Sequence, residues 1–161
     1  MLANPQWVIR DFEEALRGCG VAVPPVITHE PWPAPHRPPR FRLGMCAVYV
    51  FSLSTAAGGR CPAGPHRIIK VGKAGPNSNA RFQSQHYSPA SAPSTLAASL
   101  LMACPLWSYL GFTAGDSAQV GRWLMENTDR DHFYLRADDL EFLGDLECYV
   151  RGRHSPVFEG G

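Results

Sequence analysis

The sequence predicts an α+β fold: a small antiparallel β-sheet flanked by helices, preceded by an N-terminal helix and a proline-rich arm. Two β-rich runs, residues 47–53 and 67–71, are joined by a loop rich in Gly and Pro, and neighbouring strands so joined pair as an antiparallel hairpin. A third run, residues 132–136, lies far down the chain with helical patterns on both sides, which separates strands from helices in the α+β manner. The 161 residues are 45% apolar and 18% charged and show no internal repeat, the composition of one globular core rather than a disordered or fibrous chain.

The elements follow from local chemistry. Asn4 is placed to cap a first helix with Pro5 at its first position, where a missing N–H removes nothing. Val8, Phe12, Ala15 and Leu16 fall on one face, and Gly18 or Gly20 ends the helix. Residues 24–39 hold seven prolines in sixteen positions, which predicts an extended arm rather than an element. Its end, from His36 through Arg37, Arg40, Phe41 and Arg42, is stiff and basic, suited either to wrapping the domain or to lying along a phosphate backbone. The chain therefore divides into residues 1–44, helix and arm, and residues 45–161, the main domain. In the latter, Gly72 ends the second strand, and Asn77, Ser78 or Asn79 begins a short helix carrying Arg81, Phe82 and His86. Ser94 caps a helix with Leu96, Leu100 and Ala103 on one face, and residues 116–126 form another with Val120, Trp123 and Leu124. Asp138 caps the last helix, which runs to Arg153 before Pro156.

Charge is distributed unevenly. The net charge is +1, yet residues 31–115 contain no Asp or Glu and carry Arg37, Arg40, Arg42, Arg60, Arg67, Lys70, Lys73 and Arg81. An 85-residue stretch without a carboxylate suits a surface that meets an anion, and phosphate is the anion a concentrated basic face most often meets. Arg40, Arg42, Arg67 and Lys73 are the candidate nucleic-acid contacts. No stretch reaches the roughly 18 unbroken apolar residues of a membrane helix, and the N-terminus lacks the basic and apolar regions of a signal peptide. Five cysteines without a CxxC pair suit reduced thiols, which points to a cytoplasmic location.

In the last helix Leu140, Leu143, Glu147 and Val150 are spaced 3, 4 and 3, which places a carboxylate on an otherwise apolar stripe. Such a group stays ionised only if it is paired, hydrogen-bonded or bound to a cation. Leu146 and Tyr149 broaden the stripe and leave Glu147 the alternative of its edge.

Taken together, these residues resemble the GIY-YIG nuclease superfamily. Ala47-Val48-Tyr49 is similar to its first motif and Lys70-Val71-Gly72 to its second, in the form with Lys for Tyr. Arg81 matches the family's helix arginine, Glu147 its metal-binding glutamate, and Pro156-Val157-Phe158 its closing block, so the likeness covers roughly residues 45–160. Three departures stand out. Ala47 replaces a glycine, Gln85 stands four residues after Arg81 with His86 following, and Glu159 stands where an asparagine is frequent.

The resemblance implies a metal-dependent DNA endonuclease, as in restriction, phage defence, repair or mobile-element biology. Glu147 would hold Mg²⁺ or Mn²⁺, since a hard cation accepts one carboxylate with water and substrate phosphate. Arg81 would offer its planar fork to the phosphate oxygens. Tyr49 would orient or deprotonate the water, with Lys70 favouring its phenolate and His86 accepting or relaying the proton. Other chemistries find little support. The run Gly72-Lys73-Ala74 lacks the residues of a phosphate-binding loop, no strand leads into residues 111–115 to make a nucleophile elbow, and Cys46, Cys61, Cys104 and Cys148 are too scattered for zinc. The competing functions are a nucleic-acid-binding module that keeps the fold without turnover and an assembly subunit. In the latter, Trp7, Phe12 and Trp32 would contact a protein partner or a second copy.

Overall fold

The computed structural model describes residues 2–38, 40–54, 67–91, 95–103, 112 and 117–158. Helix α1 (Pro5–Gly18) starts as its chemistry dictates, with Asn4 Oδ1 accepting from Trp7 N at 3.0 Å and Pro5 in the first turn. It buries Val8, Ile9, Phe12 and Leu16. Ile9 thus takes the place expected for Ala15, which is exposed, because the face turned to the sheet is wider on the Ile9 side.

The proline-rich stretch is not wholly irregular, which corrects the expectation of an arm without an element. Thr28–Trp32 forms strand β1, paired antiparallel with β4 (Thr128–Arg136) from Thr28↔Tyr134 to Trp32↔Arg130. Pro31 is tolerated because β1 is an edge strand, where one side of the ladder has no partner to lose. The remaining strands are β2 (Met45–Leu53) and β3 (Ile68–Ala74), and the sheet order is β1-β4-β2-β3 with every neighbouring pair antiparallel. The expected hairpin is therefore present. The boundary expected after residue 44 falls between strands of one sheet.

Strand β4 begins at Thr128, four residues before the expected start at His132. Asp129, Arg130 and Asp131 precede the expected strand, and all three are buried in the sheet. The α2 helix (Asn79–Gln83) is short and is followed by a 3-10 turn at Gln85–Tyr87. Helix α3 (Leu96–Met102) is capped by Thr95, whose side chain accepts from Ala98 N at 3.1 Å, rather than by Ser94. Helix α4 spans Ser117–Asn127, and α5 spans Phe142–His154. Asp138 lies in a 3-10 turn, Ala137–Asp139, so α5 starts later than expected. Leu140 is consequently 46% exposed, and the buried stripe of α5 is Leu143, Leu146 and Val150.

The sheet has a core on each face. Against one face pack α1 and α5, with Val8, Phe12, Leu143, Leu146 and Val150 on Val48, Val50, Val71 and Phe133. Against the other, Phe82, Leu96, Leu100, Val120 and Leu124 pack on Tyr49, Phe51 and Tyr134. No helix among the described residues is long and apolar enough to cross a membrane.

Candidate active site

Tyr49 lies in the middle of β2, opposite Gly72 on one side and His132 on the other. Its ring covers Gly72 so closely that a Cβ there would stand 2.5 Å from the phenol oxygen. Glycine is thus required by the approach of a ring, not by the backbone conformation. The 3-10 turn brings His86 over the same face, with its Nε2 2.5 Å from Tyr49 Oη. The backbone N–H of Leu96, at the start of α3, donates to His86 Nδ1 at 3.3 Å. A neutral imidazole that accepts at Nδ1 carries its proton on Nε2. His86 in this tautomer donates to Tyr49 rather than accepting from it. Both side chains are buried, at 0% and 1% exposure.

Lys70 is the cross-strand partner of Phe51 and shares the Tyr49 face, buried within the sheet's cover. Lys73, paired with Val48, belongs to the opposite face. There its Nζ meets Glu147 Oε2 at 3.0 Å. Glu147 is at the edge of the α5 stripe, its side chain 16% exposed. Tyr49, Lys70 and His86 thus gather on one face and Lys73 with Glu147 on the other, on either side of the edge strand β3. The C-terminal segment runs beside the start of that strand, Val157 N and Phe158 N donating to the carbonyls of Ile68 and Ile69 at 3.1 and 2.9 Å. Arg81 stands in α2, but its side chain, like Glu159 and residues 111 and 113–115, lies outside the described residues.

Among the described residues, no three His, Cys, Asp or Glu side chains converge to hold a metal. Glu147 remains the single carboxylate offered by the expected set. One carboxylate completed by water and substrate phosphate is a donor set that Mg²⁺ accepts, and the half-exposed Lys73 that now pairs with it can exchange that partner for a phosphate.

The expected nucleic-acid contacts are mostly paired. Arg42 meets Glu30 at 2.9 Å and stacks over Tyr134, its Cζ 4.7 Å from the ring centroid. Arg67 donates from Nε to Leu53 O at 2.5 Å and pairs with Asp129 at 3.4 Å. Arg40 is exposed. The carboxylate-free stretch is balanced by acids from before and after it, Glu30, Asp129 and Glu147.

The sequence reading missed Arg130 and the residues around it. Arg130 is wholly buried, its guanidinium 4.6 and 4.8 Å from the centroids of Phe51 and Phe82. It donates to Tyr87 Oη at 2.9 Å and to Phe82 O at 3.1 Å. The Tyr87 hydroxyl in turn reaches His36 Nε2 at 2.7 Å. Burial, reinforced by the Arg130 charge, lowers the His36 pKa to about 4 and holds His132 well below the ordinary histidine range. Burial raises the Tyr87 pKa. A signal existed: in Thr128-Asp129-Arg130-Asp131-His132-Phe133 the basic groups and the acids alternate, which in a strand sends them to opposite faces.

No family model matches the chain, and neither a curated protein nor a solved structure matches it.

Proposed function

We propose that the protein is a metal-dependent DNA endonuclease of the GIY-YIG type, hydrolysing phosphodiester bonds with Tyr49 as the proton acceptor. The observation that carries this reading is the 2.5 Å hydrogen bond from His86 to Tyr49 Oη, with the His86 proton held on Nε2 by the Leu96 amide. His86 donates into the phenol oxygen, and Lys70 shares that face of the sheet. Phosphodiester hydrolysis requires some group to take a proton from the attacking water, and this hydrogen-bonded tyrosine is the one assigned that role. Glu147, which lies across the edge strand β3 from Tyr49, would hold the metal, which when bound supplies positive charge to the phosphate oxygens. Lys73 would exchange Glu147 for phosphate, and the resemblance assigns Arg81 to the phosphate oxygens.

A second reading, a nucleic-acid-binding module without turnover, is favoured by the burial of Tyr49 and His86, which are 0% and 1% exposed. Incubation of the purified protein with supercoiled plasmid, with Mg²⁺ or Mn²⁺ and with chelator, separates the two. The nuclease reading expects nicked or linear DNA with metal only, abolished by Glu147→Gln with folding retained. Binding without cleavage under every metal condition supports the module. A Glu147→Gln variant that cuts like the parent removes the metal role from Glu147.

A further inference from the structure

The proposed chemistry gives no task to Arg130, although burying a guanidinium in an aromatic surround is costly unless its hydrogen bonds hold something in place. Its two terminal nitrogens reach two different parts of the polypeptide: Nη2 donates to Phe82 O in α2, and Nη1 donates to Tyr87 Oη in the 3-10 turn. His86 lies between those two anchors and is adjacent to the second. On its outer side the turn is pressed against α4, where a Cβ at Gly121 would stand 2.4 Å from Tyr87 O. We propose that Arg130 is a positioning residue, clamping residues 82–87 to the sheet so that His86 Nε2 stays on Tyr49 Oη. The planar fork suits this task, because a lysine ammonium cannot serve both acceptors with the same geometry. Arg130 acts through His86 and does not touch the reacting atoms.

The inference rests on the nuclease reading for its kinetic arm alone; its spectroscopic arm is independent of activity. The variants are Arg130→Lys and the milder Tyr87→Phe, which removes one acceptor and keeps the ring. In ¹⁵N-edited spectra of the histidine side chains, the parent protein is expected to show His86 as the Nε2–H tautomer with a slowly exchanging proton. Both variants, with melting curves recorded in parallel, should speed that exchange. In plasmid cleavage, Arg130→Lys should lower kcat about 10- to 100-fold, with KM for DNA little changed. That loss should vanish in the His86→Ala background, because the two residues act as one unit. An unchanged His86 signal in folded variants, or losses that add in the double variant, overturns the proposal. If Arg130→Lys does not fold, Tyr87→Phe decides. If the parent does not cut DNA, the nuclease reading fails while the His86 exchange still decides whether Arg130 positions that ring.

Discussion

At Tyr49 the sheet accommodates a full phenol ring only because its cross-strand partner, Gly72, has no side chain. Two residues spaced 23 apart in sequence are thereby tied into one requirement. Gly72→Ala would place a methyl group 2.5 Å from the phenol oxygen, and the ring, enclosed by Phe51, Phe82 and His86, has no free space to yield. The expected cost is about 1–3 kcal/mol of stability, as for overpacked cores, together with loss of cleavage because the His86 contact shifts. Urea unfolding and plasmid cleavage check this, and a Gly72→Ala variant of parental stability and activity would deny the close approach. The same scale explains why Glu147 was only partly legible. Helical spacing located it near an apolar stripe, but its partner, Lys73, lies on a strand 74 positions away and no helical periodicity could indicate it.

Among the elements, β1 changes the meaning of the basic arm. Arg42 follows β1 in the chain and returns to pair with its Glu30 while stacking on Tyr134 of β4. Arg42 therefore fastens the arm to the sheet, whereas Arg40 points to solvent. Arg40→Ala should weaken DNA binding and lower the log–log salt slope by about 0.9, the contribution of one phosphate contact. Arg42→Ala should leave that slope nearly unchanged and cost about 1 kcal/mol or less in stability, as an exposed pair with a stacked guanidinium does. Fluorescence anisotropy over a salt series, with urea unfolding of each variant, distinguishes them. An unchanged slope for Arg40→Ala returns the whole arm to a structural role. Strand β4 makes a related point: its charged first half lies outside the run expected as a strand, yet each charge finds a partner or an aromatic surround inside the sheet.

The molecule as a whole holds several histidines neutral. Burial, first, and neighbouring arginine charge, second, lower the pKa of His36 to about 4 and lower those of His132 and His154. In the unfolded chain these groups titrate near the ordinary value of 6.5. Above that pH both states are neutral and the histidines leave stability unchanged. As pH falls below it, protons bind the unfolded chain first, so folding stability declines, and for His36 the decline levels off once pH passes about 4. Urea midpoints should therefore be flat from pH 8 to about 7 and fall steadily toward pH 4. His36→Gln should reduce that fall, and an identical pH dependence in this variant would show that His36 is not the group responsible.

The chain's local chemistry determined the helix starting at Asn4, the β2–β3 hairpin, the terminal helix and the α+β class, because capping groups, period-two alternation and apolar stripes act over a few residues. Helical spacing also located Glu147 beside an apolar stripe, whereas Tyr49, Lys70 and His86 were singled out by the resemblance of short motifs to a nuclease family. Only the tertiary structure decided that His86 donates to Tyr49, that Lys73 occupies Glu147 across the sheet from them, that acids from both flanks neutralise the basic stretch, and that Arg130 lies under the turn carrying His86. Those are contacts between residues far apart in sequence. They are set by which strand neighbours which and by how little space a packed interior leaves, and neither quantity is carried by a local pattern.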